Sequence, residues 1–434
     1  MEPKLSARRA VGIATLACIF TLSQEAGQPP WSGQRTAPGA GPKRQPAPQS
    51  PAAPGCAGRC TSAELDEYQR TLHALERYRR LAAIYGDVTL PETVQPVEPG
   101  DIYEGVPRLA RVLHRLGDLA DDVQLADENV YDGELVDAVR RFQRRHGLEP
   151  DGRIDAATLK QLNTPLSVRV HQLELALERW RRRPYDPTRP AIVLNVPEFR
   201  LRAVRGHHVD LEMKIIVGEA AERKTPLLRS QLETIIFYPY WNVPPSITRD
   251  ELMSDIEKDR TFLPANHLEM VNVSGEVLDG PISEDEIEQL RSGQLRLRQT
   301  PGPKNTLGLV KFEFPNGYGI YMHATSAPWL FAKPRRDFSH GCIRVEQAED
   351  LAEWALRDQP GWSRDHIEDA MGGPDPLAVK LHRPIQLVTI YVTAMVLDNG
   401  EVRFFDNIYG EDEAFEKQLA GSRPPASPVR KSLR

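Results

Sequence analysis

Cysteine is scarce in this chain, with 4 among 434 residues, too few to staple a fold of this length with a disulfide framework. No apolar run approaches the ~20 residues that a bilayer-spanning helix requires. Charge of one sign is also missing. The 55 basic and 61 acidic residues leave a balance of −6, which offers no general attraction to nucleic acid or to an anionic membrane surface. What the chain does have is length, enough for about three units at ~150 residues each. It also has 37 prolines, well above the usual ~5%. With 40% hydrophobic and 27% charged residues, sizeable folded cores are expected.

At the N-terminus, Lys4, Arg8 and Arg9 precede the apolar stretch from Val11 to Leu22. A basic region followed by a short apolar one predicts that residues 1–23 are a secretory signal, placing the protein in the periplasm. Cys18, inside that stretch, reads as a small apolar residue, with a lipoprotein signal as the alternative. Residues 24–62 are rich in proline, from Pro29 to Pro54, among Gly, Ala, Ser and Gln. This composition predicts an extended tether, because it cannot bury enough apolar surface to offset its ordering entropy. Residues 411–434, ending in PPASPVRKSLR, are expected to be a disordered tail for the same reason. After removal of the signal, Cys56, Cys60 and Cys342 remain. The close pair can form a disulfide in an oxidising compartment, which leaves Cys342 as an odd thiol.

Residues 63–100 read as a helical segment and 101–164 as a helical module. Leu109, Val112, Leu113 and Leu116 recur at helical spacing, as do Leu135, Val139 and Phe142. Gly117 and Gly147 supply stops, and Asp155 stands where an N-cap is wanted. The string AVRRFQRRHGLEPDGRIDAATLKQLN resembles the three-helix peptidoglycan-binding domain, through Phe142-Gln143, Gly147-Leu148, Asp151-Gly152 and Thr158 to Asn163. The resemblance implies binding to cell-wall glycan or peptide. A connecting helix is expected within 165–189, where Val170, Leu173, Leu177 and Trp180 form an apolar stripe suited to docking between modules. Arg181, Arg182 and Arg183 near its end complement the helix dipole.

From Ala191 the period changes to two or to short apolar runs rich in Val, Ile, Phe, Tyr and Thr. Residues 190–410 therefore read as a mostly antiparallel β sandwich or barrel, and the chain as a multidomain α+β protein. Residues 244–303 break the pattern with Pro244-Pro245 and two acidic helical stretches. Some sixty residues are too many for a structureless loop, so an inserted subdomain is expected, read as a lid over a cleft.

The chemistry-bearing string is MHATSAPWLFAKPRRDFSHGCIRV. A cysteine nucleophile needs a base or a cationic partner, because a free thiol of pKa ~8.5 is only a few per cent ionised at pH 7. His323 and His340 are available. Gly341 permits a tight turn in which its own N–H and that of Cys342 could face a developing oxyanion. A zinc site on His323, His340 and Cys342 is the competing reading, but H-x-C is not a usual zinc spacing and no second cysteine lies near.

The whole string, an upstream His followed by S-H-G-C-I-R, resembles the L,D-transpeptidase (YkuD) family. The likeness extends over most of 190–410, through LNVPEFRLR, IVGEAAERKTPLL and YPYWNVPPSI. Together with the helical module it resembles the large, capped subfamily that carries a peptidoglycan-binding domain. This resemblance implies that Cys342 is the nucleophile and His323 the general base, its ring oriented by a main-chain carbonyl. His340, Gly341 and Cys342 would line the oxyanion site, with Ser339 and Arg344 shaping the pocket. Many family members have Gly after the upstream His, where this chain has Ala324. The implied reaction is 3–3 cross-linking of peptidoglycan stems through a thioester, with no metal or organic cofactor. Hydrolysis by the same residues, non-catalytic wall binding, and attachment of a lipoprotein to the wall are the alternatives.

Overall fold

The structure is a computed structural model, and it describes residues 67–421 apart from 124, 126, 183, 207 and 279. The expected signal, the proline-rich tether, Cys18, the Cys56–Cys60 pair, Arg183 and the end of the tail lie outside the described residues. Two compact units are present. One comprises residues 243–297, and the other holds the remaining described residues.

The larger unit begins with helices α1 (Glu67–Tyr85), α2 (Val106–Leu116), α3 (Gly133–Arg145), α4 (Ala156–Leu162) and α5 (Leu166–Arg181). Helices α2, α3 and α4 enclose a core of Leu109, Leu113, Leu135, Val139, Phe142 and Ile154. Gly117 ends α2 in the left-handed conformation that its sequence position requires. The Asp155 side chain accepts the Thr158 N–H at 2.7 Å, capping α4. Gln143 is buried, donates to Asp151 and Arg153 and accepts from the Gly152 N–H, so it braces the Asp-Gly turn from below.

The strands follow as β1 (Ala191–Asn195), β2 (Arg200–Arg205), β3 (His208–Gly218), β4 (Arg229–Phe237), β5 (Trp241–Asn242), β6 (Leu268–Val271), β7 (Val277–Leu278), β8 (Arg296–Gln299), β9 (Val310–Glu313), β10 (Met322–His323), β11 (Asp337–Ser339), β12 (Ile343–Val345), β13 (Leu377–Ile390), β14 (Ala394–Val396) and β15 (Val402–Phe404). The main sheet runs β11-β3-β12-β10-β9-β4-β13-β1-β2, and a further pairing of β2 with β3 closes it into a barrel. Most pairings are antiparallel, as the period-two pattern predicts. The exceptions are β1 with β13, β10 with β12 and β11 with β3, which are parallel. Each parallel pair joins segments far enough apart in sequence for the crossover that parallel strands need.

Strand β1 is buried along its whole length and apolar from Ala191 to Leu194, because both of its faces are covered. Ile192 and Leu194 enter the main core with Met213, Ile215, Phe237 and Phe312. Ala191 and Val193 face the other way, into a cluster with Leu173, Leu177 and Trp180 of α5 and Tyr78 of α1. The apolar stripe of α5 is thus a docking face. The helical module and α5 both contact the β14–β15 hairpin. Arg145 forms a buried ion pair with Asp118 and donates to the Val402 carbonyl at 3.2 Å, and Arg169 lies over the Phe404 ring at 4.7 Å.

Helix α8 of the chain, counted after α6 (Met253–Lys258) and α7 (Glu284–Ser292), spans Ala348–Leu356; α9 spans Arg364–Met371 and α10 Glu411–Gly421. Helix α10 corrects the expectation of disorder from residue 411. Asp412 is buried there, bonded to Thr393 at 2.7 Å and to Arg179 at 2.6 Å. These tertiary bonds order a stretch whose local sequence is polar and acidic.

The smaller unit contains α6, α7, β6 and β7, with Leu252, Ile256, Ile287 and Leu290 buried. Ser283 and Glu286 form a reciprocal capping box that starts α7. The unit spans nearly the interval where an insertion was expected.

Candidate active site

The site is set by strand register. Strand β10 lies between β9 and β12, so that Lys311, His323 and Arg344 stand opposite one another, while Phe312, Met322 and Ile343 point to the other side. The second set enters the barrel core. Side chains alternate along a strand, and cross-strand partners share a face. Tyr321 and Cys342, each two residues before a member of the first set, therefore join that face. The Ile343 N–H donates to the Tyr321 carbonyl at 3.0 Å, which extends the register to them. The upstream histidine and the cysteine of the sequence motif thus come to one face of adjacent parallel strands.

His323 is 4% exposed, and its Nδ1 has no partner at hydrogen-bonding geometry. Burial is the largest influence on the ring and Arg344 the next; together they push its pKa down to about 3, against a smaller opposing effect of the Ala324 and Leu307 backbone. The imidazole is neutral at pH 7. Cys342 is half-buried. Burial raises its thiol pKa, while contact with the Tyr321 backbone and hydroxyl, together with Lys311 and Arg344, partly opposes that rise. Trp241 also approaches the Tyr321 hydroxyl, whose pKa is raised chiefly by burial. The guanidinium Nε and Nη1 of Arg344 are buried without partners, and burial lowers the Arg344 pKa. An unpaired buried cation beside a thiol favours whatever negative charge forms there.

The turn between β11 and β12 is held by local bonds. The Ser339 hydroxyl donates to the Cys342 carbonyl at 2.5 Å and accepts from the Gly341 N–H at 3.2 Å. Gly341 has φ +111°, a conformation that a side chain would strain. The Gly341 N–H is thus taken up by Ser339, whereas the Cys342 N–H bonds to no described residue. His340 is exposed and stands apart from the buried face that carries His323. Arg336 anchors the segment before β11. Its buried guanidinium donates to the carbonyls of Phe199, Ile215, Lys333 and Pro334.

Sequence reasoning missed Tyr321, Trp241 and Lys311. Tyr321 had a signal, since it alternates with His323, but aromatic residues in strands are common enough to pass as packing. The other two are brought in by β9 and β5, which no local pattern connects to the motif. Among the described residues no cluster of His, Cys, Asp and Glu has the makings of a metal site.

Fold and site together define a β-barrel domain with a thiol, a neutral imidazole and a guanidinium on one face, joined to a helical module. Residues 189–367 match the family model of the L,D-transpeptidase catalytic domain, YkuD, and residues 103–162 that described as "Putative peptidoglycan binding domain". The β-barrel segment is thus similar to the YkuD L,D-transpeptidase catalytic domain, and the helical module before it to a peptidoglycan-binding domain. A Haemophilus influenzae protein named "Putative L,D-transpeptidase" is 28% identical over 239 residues, which cover 55% of this chain and 48% of that protein. The chain thus spans about half the length of this curated relative. Two solved structures titled as L,D-transpeptidases are also similar. The one from Xylanimonas cellulosilytica has 16% identity, covers 69% of this chain and 100% of its own, and has a TM-score of 0.20. The one from Stackebrandtia nassauensis has 11% identity, covers 70% and 96%, and has a TM-score of 0.27. At those scores neither bears on the arrangement derived above.

Proposed function

We propose that this protein is an exported L,D-transpeptidase that forms 3–3 cross-links between peptidoglycan stems. The observation that carries the reading is the placement of Cys342 and His323 on one face of adjacent strands, beside the unpaired guanidinium of Arg344. The Cys342 sulfur attacks the carbonyl of the third residue of a tetrapeptide stem, and His323 accepts the thiol proton. The Cys342 N–H and Arg344 stabilise the negative charge that develops. The C–N bond to the terminal D-Ala breaks, His323 returns the proton to the departing amine, and a thioester remains. The side-chain amine of a second stem then attacks the thioester. Its proton passes through His323 to the sulfur, and the cross-link is released. The helical module holds the wall polymer, and residues 243–297 serve as a lid that keeps water from the thioester. They are inserted between β4 and β9, which pair with each other, and β9 pairs in turn with β10.

Incubation of the protein with tetrapeptide muropeptides tests the reading. Mass spectrometry should show loss of D-Ala, a Cys342-dependent acyl adduct, and a 3–3 dimer, all absent in Cys342→Ala. Trimmed tripeptides without any dimer would mean a hydrolase, and no turnover with an unchanged wall composition would mean a binding protein.

A further inference from the structure

Strand β3 ends at Gly218, and the loop that follows, residues 219–225, returns beneath the Gly341 turn. A Cβ on Gly341 would meet the carbonyls of Arg223 and Lys224 at 3.7 and 3.8 Å. One polar side chain bridges these segments. Thr225, 1% exposed, accepts the Gly218 N–H at 2.8 Å and donates its hydroxyl proton to the Gly341 carbonyl at 2.9 Å. The loop is locked in turn from the far end of the domain. The Tyr409 hydroxyl accepts the Thr225 N–H at 3.2 Å and donates to the Gly218 carbonyl, and the Tyr391 hydroxyl accepts the Tyr409 N–H at 2.8 Å. Gly218 itself admits no side chain, because a Cβ there would lie 1.9 Å from the Arg223 carbonyl oxygen.

The Gly341 carbonyl and the Cys342 N–H belong to one peptide group. A trans peptide is planar, and its C=O and N–H point in opposite directions. Fixing the carbonyl on Thr225 therefore fixes the N–H away from Thr225. Ser339 occupies the Gly341 N–H and the Cys342 carbonyl, and the Cys342 N–H bonds to no described residue.

We infer that Thr225 is a positioning residue that aims the Cys342 N–H at the oxyanion of the acyl-transfer reaction, with Tyr409 holding Thr225 in place. This rests on the transpeptidase reading of the same thiol. Thr225 touches no reacting atom. Without its hydroxyl the 341–342 peptide is free to rotate, and the donor is lost at the moment charge develops.

Thr225→Val keeps the shape and removes the hydroxyl, and Thr225→Ser keeps the hydroxyl. The test compares two reactions of the same sulfur in the full protein: acylation by a tetrapeptide stem, which builds an oxyanion, and alkylation by iodoacetamide, which builds none. Thr225→Val should lower kcat for acylation by about 10- to 100-fold, leave KM within about 2-fold, and leave the alkylation rate unchanged. Thr225→Ser should recover most of the acylation. Equal slowing of both reactions would overturn the inference, because Thr225 would then hold the thiol itself. Unchanged acylation in Thr225→Val would overturn it as well. If the unmodified protein is alkylated yet never acylated, the transpeptidase reading fails first, and the result is distinct from either outcome above. Thermal unfolding of Thr225→Val should remain a single transition, and a loss of fold would be read from the Ser variant, which must then match the unmodified protein in both reactions.

Discussion

The protonation of the resting site can be read with a thiol reagent. Burial raises the Cys342 thiol above its ordinary value and pushes His323 down to about 3. Both shifts favour the neutral pair over a thiolate–imidazolium pair. A free cysteine of pKa ~8.5 is about 3% ionised at pH 7, so the ionised fraction of Cys342 is smaller than that. Iodoacetamide should therefore alkylate the native protein more slowly at pH 7 than it alkylates a small thiol. Its rate should climb about tenfold per pH unit to pH 9 or beyond, with no plateau below neutrality. Arg344 helps to ionise the thiol, so Arg344→Gln should move the whole alkylation curve to higher pH. Acylation by a stem peptide should persist at pH 7, because His323 takes the proton during the attack and no resting thiolate is required. Stopped-time alkylation with intact-mass readout measures all of this. A fast, flat alkylation rate from pH 5 to 7 would refute the reasoning, since it would require a preformed ion pair that the burial of both groups opposes.

Two further predictions concern stability. His146 is buried between Phe142 and Phe404, with its pKa lowered chiefly by burial and next by Arg145. The folded state therefore declines a proton that the unfolded chain accepts near pH 6.5, and stability is full above that pH and falls as pH drops below it. With a slope of about 1.4 kcal/mol per pH unit, the loss by pH 5 is about 2 kcal/mol. Because His323 contributes a like loss over the same range, His146→Phe should reduce but not abolish the fall of urea midpoints between pH 6.5 and 5 relative to the unmodified protein, and an unchanged slope would exclude His146 as a source. Asp118→Ala should cost about 3–5 kcal/mol in urea unfolding, because it strands the buried guanidinium of Arg145. A loss below about 1 kcal/mol would mean that water reaches the pair.

Much of the architecture was legible because burial writes itself into period. The short apolar run from Ala191 marks a strand, and the α5 stripe marks a docking face. What stayed illegible depends on partners distant in sequence. The closure of β2 on β3 and the parallel seating of β12 on β10 follow from the whole barrel. The α10 helix has an acidic, polar sequence, and it is ordered by Thr393 and Arg179. Local composition carries no trace of either residue.

The motif showed which residue types the chemistry needs, but the work of each depends on bonds that lie off the motif. Spacing alone made both the Gly341 and Cys342 amides candidates for the oxyanion, because glycine frees the turn. The Ser339 hydroxyl removes one of them by accepting the Gly341 N–H, and Thr225, more than 110 residues upstream, fixes the other by holding its carbonyl. His323 and Arg344 show the same dependence. In sequence they lie on either side of a loop, with no sign that one depresses the pKa of the other. With the two placed opposite each other by the β10–β12 register, burial first and the guanidinium next keep the imidazole neutral. A one-residue slip of β10 against β12 would turn His323 toward the apolar core while Arg344 stayed in place, and the site would be lost with every residue of the motif still present.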